Sequence, residues 1–329
     1  MKSSNLNRRR FLKTASLSTL GAGIASTGVF ASGQTSKNIE KPVIREYRRF
    51  GKTGFKVSDF GSGAPSNEAI LRALLDSGVN LIDTGEAYAN GNSERVVGRV
   101  IKDYDRSKLF INTKLYTEKE FPSKKEVIER ANQALERLQT DYVDCIQIHS
   151  AENSRILKDE AFHSGMEQLK KEGKVRHVGV SCHGNNWAID TEESLDKILL
   201  TAVEDGRFDV ILLAYNFANR DIAEKVLEAC DQKDIATIIM KSNPVHLFDI
   251  FVARRDKMIV EGREVDMYTQ VYYDKYKKMY DAAESFFSTY GINNEKEFRD
   301  AASRFVLSNK KAHTTIWDFQ NFDEGKRMI

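Results

Sequence analysis

The chain has 329 residues, 41% hydrophobic and 30% charged, with 50 Lys and Arg against 48 Asp and Glu for a net charge of +2. That balance excludes disorder over most of the length and gives neither nucleic acid nor an anionic membrane a reason to bind. Three cysteines cannot build a full disulfide framework, and Cys145 and Cys182 sit in apolar runs where buried, inert thiols are expected.

The first segment reads as an address. Asn7-Arg8-Arg9-Arg10-Phe11-Leu12-Lys13 precedes small and apolar residues from Ala15 to Ala31, closing on Val29-Phe30-Ala31. A basic start, a moderately apolar middle and a small-residue exit have the shape of a secretory signal, and the paired arginines resemble the twin-arginine export signal of bacteria. Gly, Ser and Thr in the middle make a stable membrane anchor unexpected. The expected organisation is a signal peptide over residues 1–31, a flexible lead-in over 32–44, and one domain over 45–329. The expected partner is the twin-arginine translocase, with a periplasmic or otherwise exported location. That route moves folded proteins, often because a cofactor must be loaded first.

Short β-rich runs then alternate with amphipathic helical stretches. Strands are predicted at Ser58–Gly61, Val79–Asp83, Leu109–Lys114, Val143–His149, Val175–Ser181, Asp209–Ala214, Ala236–Met240 and His313–Trp317. Helices are predicted between them. One is near Asn67–Ser77, one at Glu94–Lys102, and one is opened by the capping pattern Ser123-Lys124-Lys125-Glu126. Another ends at Gly173, and others lie at Glu192–Val203 and Asp221–Cys230. A long helical region follows Met240 and runs to Leu307. Continuous Val, Ile and Leu runs are what parallel strands covered on both faces require. Strict alternation with eight repeats predicts an α/β fold, a closed (β/α)8 TIM barrel. A doubly wound open sheet would normally show a Gly-rich phosphate loop, and Gly61-Ser62-Gly63-Ala64-Pro65 is too short a match.

In such barrels the active site lies at the C-terminal strand ends. Asp83 ends the second strand, Tyr88 follows it, Lys114 ends the third and His149 the fourth. Each alone has a bland reading as a cap, a packing ring or a satisfied core imidazole; four on one rim read as a catalytic set. A free phenol, with a pKa of about 10, is too weak an acid near neutrality. A nearby ammonium is expected to lower it, a carboxylate to keep that ammonium charged, and an imidazole to orient a carbonyl oxygen. Tyr88 is then the proton donor, Lys114 its tuner, Asp83 the anchor and His149 the positioning group. With no nucleophilic Ser or Cys in view, a nicotinamide hydride is the natural partner. No metal site is expected.

Asp83-Thr84-Gly85-Glu86-Ala87-Tyr88 with Gly91-Asn92-Ser93-Glu94-Arg95-Val96-Val97-Gly98 resembles the signature of the aldo-keto reductases. The opening Arg49–Ser58 and the segment Asp141–His149 resemble the family too, and the likeness spans roughly residues 45 to 322. It implies a tetrad at Asp83, Tyr88, Lys114 and His149 and reduction of aldehydes or ketones with NADP(H), or alternatively NAD(H). It also implies cofactor contacts from Ser181, Tyr215, Asn216, Lys241, Gln320 and Asn321. The chain departs from the pattern at Cys182, where Asn is usual, at Leu212, where Gln is usual, and at Asp318, whose charge would repel a phosphate.

Two functions compete. One is an exported oxidoreductase acting on a small carbonyl compound, sugar-like in one reading. The other is a non-catalytic barrel that binds a sugar or a protein partner through a site with eroded cofactor residues. The segment from Lys241 to Asn294, with Arg254, Arg255, Lys257, Phe248, Phe251, Tyr268, Tyr272 and Tyr273, is either a helical excursion that packs its aromatics against the barrel or a substrate lid for a polar or sugar-like substrate.

Overall fold

The computed structural model describes residues 43–44, 46–184, 193–243, 246–292, 295–319, 321–323 and 325. The leader, most of the lead-in and Gln320 lie outside the described residues. Within them, a two-stranded antiparallel hairpin, β1 (Tyr47–Arg49) and β2 (Lys56–Ser58), precedes eight parallel strands. These are β3 (Phe60–Gly63), β4 (Leu81–Asp83), β5 (Phe110–Tyr116), β6 (Val143–His149), β7 (Val175–Cys182), β8 (Val210–Ala214), β9 (Ala236–Met240) and β10 (Thr314–Trp317). They pair in chain order, and β10 closes the ring between β9 and β3. The fold is a (β/α)8 TIM barrel.

The helices α1 (Glu68–Asp76), α2 (Asn92–Ile101), α3 (Lys124–Leu138), α4 (Glu160–Lys171), α5 (Leu195–Asp205) and α6 (Arg220–Gln232) form the outer layer. Each presents an apolar stripe to the sheet, as Val127, Ala131, Leu135 and Leu138 do on α3. Caps follow the sequence: Asn67 accepts from Ala69 and Ile70, and Ser123 accepts from Glu126. Strand residues alternate between two cores. Ile82, Ile111, Ile146, Val180 and Leu213 face the helices, while Leu81, Phe110, Cys145, Val210, Leu212 and Ile238 fill the barrel.

The first barrel strand starts at Phe60 rather than Ser58, because Val57 and Ser58 pair with β1 instead. The hairpin closes the N-terminal end of the barrel. Phe50 meets Phe110 edge-on with ring centroids 5.0 Å apart, and Phe55 tilts over the same ring. Gly51, at φ +50, lets the hairpin backbone pass so close to Asp234–Ala236 that a Cβ there would stand 2.5 Å from the Ala236 nitrogen.

The long helical region after β9 resolves into α7 (His246–Val260), α8 (Met267–Tyr290) and α9 (Glu295–Ser308). Its aromatics pack on one another and on the core between barrel and helices. Phe251 of α7 stacks on Tyr272 of α8 at 4.9 Å, and Phe248 meets Tyr280 at 4.8 Å. No helix of the described residues is long and apolar enough to cross a membrane.

Candidate active site

The C-terminal ends of β4, β5 and β6 bring Asp83, Lys114 and His149 to one rim, and the β4–α2 loop adds Tyr88. Lys114 lies two residues before the end of β5, since the strand runs on to Tyr116. Its side chain is fully inside the barrel, and its Nζ donates to Asp83 Oδ2 at 2.6 Å, to the Thr84 carbonyl at 2.7 Å and to the Tyr88 hydroxyl at 3.4 Å. Asn112, inward-facing and one pleat below Lys114, donates to Asp83 Oδ1 at 2.6 Å, so both oxygens of that carboxylate are held. The loop bearing Tyr88 is pinned by a Thr84–Ser93 hydroxyl pair at 2.9 Å and turns through Ala89, Asn90 and Gly91, all at positive φ.

Burial governs the charges. It pulls the Lys114 ammonium down, but the Asp83 charge, the Tyr88 hydroxyl and their hydrogen bonds outweigh it and leave the group above its usual value. Burial also raises Asp83, against the pull of Lys114 and Asn112. Tyr88 departs from the sequence expectation. Lys114 does lower the phenol, but desolvation is the larger effect and the net shift is upward. The phenol therefore keeps its proton at neutral pH, with the ammonium 4.8 Å from its ring centroid. His149 is pushed down to about 3, first by burial and then by the charges of Lys114 and His183. It is a neutral imidazole, edge-on to Tyr88 at 5.3 Å and to Tyr116 at 6.0 Å.

The residues expected to hold a cofactor divide. Ser181 is buried at the end of β7, accepting the Ser150 N–H at 2.7 Å and donating to the Ile148 carbonyl at 3.3 Å. Lys241 follows β9 in a left-handed conformation (φ +57), within reach of the charge of Asp318, which also acts on Tyr88. Asn216 is a bracket: its Oδ1 accepts from Ala218 and its Nδ2 donates to the Lys241 carbonyl at 2.9 Å. Tyr215 is not brought to the site. Its ring lies in the shell between barrel and helices against Phe305 at 5.4 Å, and its hydroxyl donates to Glu224. Asn321 is exposed, and Gln320 lies outside the described residues. Cys182 points into the helix-facing core, whereas Leu212 stands inside the barrel level with Ser181.

Several site residues escaped the sequence reading. Asn112 shares the inward phase of Lys114, two residues on, which was the available signal. His183 stands in the phase of Ser181 just past β7. Gln147, paired in register with Lys114, is buried with both amide atoms lacking a partner, a state that no sequence pattern announces.

A family model described as the Aldo/keto reductase family matches residues 50–328. The aldo-keto reductase YhdN of Bacillus subtilis is 30% identical over 217 residues, covering 60% of this chain and 62% of its own length. A voltage-gated potassium channel subunit beta assigned in Schizosaccharomyces pombe is 32% identical over 206 residues, covering 55% and 56%. The chain thus matches less than two thirds of the length of these relatives. Among solved structures, a Pseudomonas aeruginosa protein described as an aldo-keto reductase aligns with a TM-score of 0.62 at 18% identity, over 89% of this chain and 96% of that one. An aldo-keto reductase from Klebsiella pneumoniae in complex with NADPH aligns at 0.54 and 22%, over 87% and 89%.

Proposed function

Given that the chain belongs to the aldo/keto reductase family, we propose that it is an exported NAD(P)-dependent oxidoreductase that reduces the carbonyl of a small, sugar-like aldehyde or ketone. The observation that carries this reading is the buried chain from Asp83 through Lys114 to Tyr88, with Nζ 2.6 Å from the carboxylate and 3.4 Å from the phenol. A binding surface has no use for a charge so costly to bury.

The residues fit a nicotinamide dinucleotide in chemistry. Leu212 and Met240 offer apolar surface on the inner wall, Ser181 a hydroxyl and Lys241 a cation for phosphate. Held there, a nicotinamide would supply the hydride for a carbonyl carbon. Tyr88 gives its proton to the carbonyl oxygen, and the nearby Lys114 ammonium stabilises the phenolate that is left. Asp83 keeps that ammonium charged and fixed. His149, being neutral, orients the carbonyl oxygen by a hydrogen bond. We take NADP(H) as the cofactor, with NAD(H) the comparison in a binding titration.

Tyr88→Phe tests the mechanism. Oxidation of NADPH with a generic aldehyde should fall by about 10²–10⁴-fold at unchanged melting temperature; full turnover in the variant would sink it. The competing reading, a barrel that binds without reacting, is favoured by Leu212 and by the outward faces of Cys182 and Tyr215. It gains if neither dinucleotide changes its fluorescence on mixing with the protein. Export by the twin-arginine translocase is part of the proposal, supported by Arg8 and Arg9 with Phe11-Leu12-Lys13. Replacing both arginines with lysine should leave the chain in the cytoplasmic fraction.

A further inference from the structure

The loop that carries Tyr88 is gripped from outside the tetrad, and the grip falls on Glu86, two residues before the phenol. The Glu86 N–H donates to the Lys114 carbonyl at 3.3 Å, and its Oε1 accepts the Tyr116 N–H at 2.9 Å, so backbone and carboxylate together seat the loop on the end of β5. Arg130 of α3 closes the figure. Its Nε donates to Glu86 Oε2 at 3.2 Å and its Nη2 to Oε1, while the same Nη2 donates to the Tyr116 carbonyl at 2.5 Å. Its guanidinium also stands 5.4 Å from the centroid of the Phe121 ring. The two side chains are 19% and 18% exposed. A forked pair so largely covered holds a geometry that an exposed pair does not.

Lys114 and Tyr88 reach each other from different supports. Lys114 is built into β5, whereas Tyr88 hangs on a loop that turns through Ala89, Asn90 and Gly91. The Thr84–Ser93 bond ties that loop to α2, its own continuation. Glu86 and Arg130 tie it sideways, to the strand that holds Lys114. Of the contacts of Lys114 Nζ, the one to the Tyr88 hydroxyl is the longest, 3.4 Å against 2.6 and 2.7 Å, and it is the one that the seating of the loop sets. At such a length a small slip breaks the bond. The charges acting on Tyr88 are those of Lys114, Asp83 and Asp318, and a paired Glu86 and Arg130 add no net charge to them. What the pair supplies is position.

We propose that Glu86, forked by Arg130, is a positioning residue for the reduction, registering the Tyr88 loop on β5 so that the phenol meets the Lys114 ammonium. This rests on the carbonyl-reduction reading and adds to it a part that lies outside the four reacting side chains.

The test uses the full chain with NADPH and propionaldehyde. Glu86→Ala should lower kcat by about tenfold or more at unchanged KM, because it disturbs placement in the transition state rather than uniform binding. Glu86→Gln keeps an acceptor for the Tyr116 N–H and should recover part of the loss. Adding Arg130→Ala to Glu86→Ala should slow the enzyme no further, since the two residues act as a unit. Glu126→Gln alters the other carboxylate on Arg130, at 3.5 Å, without touching the loop, and should stay within about twofold. An unchanged kcat in Glu86→Ala, a rise in KM alone, no recovery in Glu86→Gln, or additive losses in the double variant would each overturn the proposal. A second readout needs no turnover. The ring carbon resonance of Tyr88 in the cofactor-free protein, identified by its loss in Tyr88→Phe, should shift in Glu86→Ala while tyrosines away from the site, such as Tyr142, hold still. An unmoved Tyr88 signal, or shifts in all tyrosines alike, overturns the assignment. If none of these proteins reduces the aldehyde, the reduction reading fails by itself, and the resonance still decides whether Glu86 registers the loop.

Discussion

Lys114 meets the harshest electrostatic surroundings in the barrel, an ammonium at 1% exposure beside a carboxylate at 1%. Breaking such a pair leaves one charge uncompensated, at a cost of about 3–5 kcal/mol. Lys114→Met should therefore lower the urea midpoint sharply, and the double variant with Asp83→Asn should recover most of the loss; additive losses would show that the pair is not coupled. The four candidate site residues were legible because each ends, or follows, an apolar run. The supporting residues were not. β6 is buried along its whole length, so nothing in Val143–His149 reveals that Gln147 faces the barrel while Asp144 does not. Tyr215, expected near the cofactor from the family likeness, has its ring among the outer-shell residues. It directly follows a fully buried strand whose inward phase the sequence leaves open, and the backbone turns its ring outward.

At the level of elements, α2 and α3 approach more closely than their helical periodicity implies. Gly98 faces the end of α3, and a Cβ on it would lie 2.5 Å from the Arg137 carbonyl oxygen and 2.8 Å from that of Leu138. Alanine is the better helix former by about 1 kcal/mol, but here overpacking against rigid backbone dominates. Gly98→Ala should destabilise by about 1–3 kcal/mol in equilibrium unfolding; a stabilised variant would mean that the helices can part without cost. Strand positions were readable to within a residue or two, because apolar runs flanked by polar ones mark them. The break between α7 and α8 was hidden inside a continuous aromatic and charged pattern. Its markers were Gly262, at φ +68, and Asp266, whose side chain caps α8 through Thr269. In this region Phe248, Phe251 and Tyr276 join the core between barrel and helices, and cations cover the outer rings, with Arg255 over Tyr273 and Arg254 over Tyr268.

For the molecule as a whole, imidazoles that the fold dehydrates bear on the response to acid. His149 and His183 are pushed down to about 3 and His313 to about 4, in each case chiefly by burial. Between those values and the ordinary 6.5 of an unfolded chain, the unfolded state binds more protons, so stability rises with pH across that window. Read downward, it is fully present above pH 6.5 and is lost as the pH falls toward 3. At pH 5 each imidazole should cost on the order of 2 kcal/mol. The urea midpoint should accordingly drop between pH 7 and pH 5, and a flat profile would contradict neutral burial. No pattern of spacing could have announced this, since six histidines scattered through a sequence carry no mark of which ones the fold will dehydrate.

The hairpin under the barrel has a bearing on traffic. With Phe50, Phe55 and Val57 seated against Phe110, and Leu81, Cys145 and Val210 filling the interior above them, the barrel is a blind-ended cup. Under the proposed function, the hydride donor and the carbonyl compound would share one doorway, one lying beneath the other. The deeper guest would then enter first and leave last, an order set by a cork of side chains at the opposite end of the barrel.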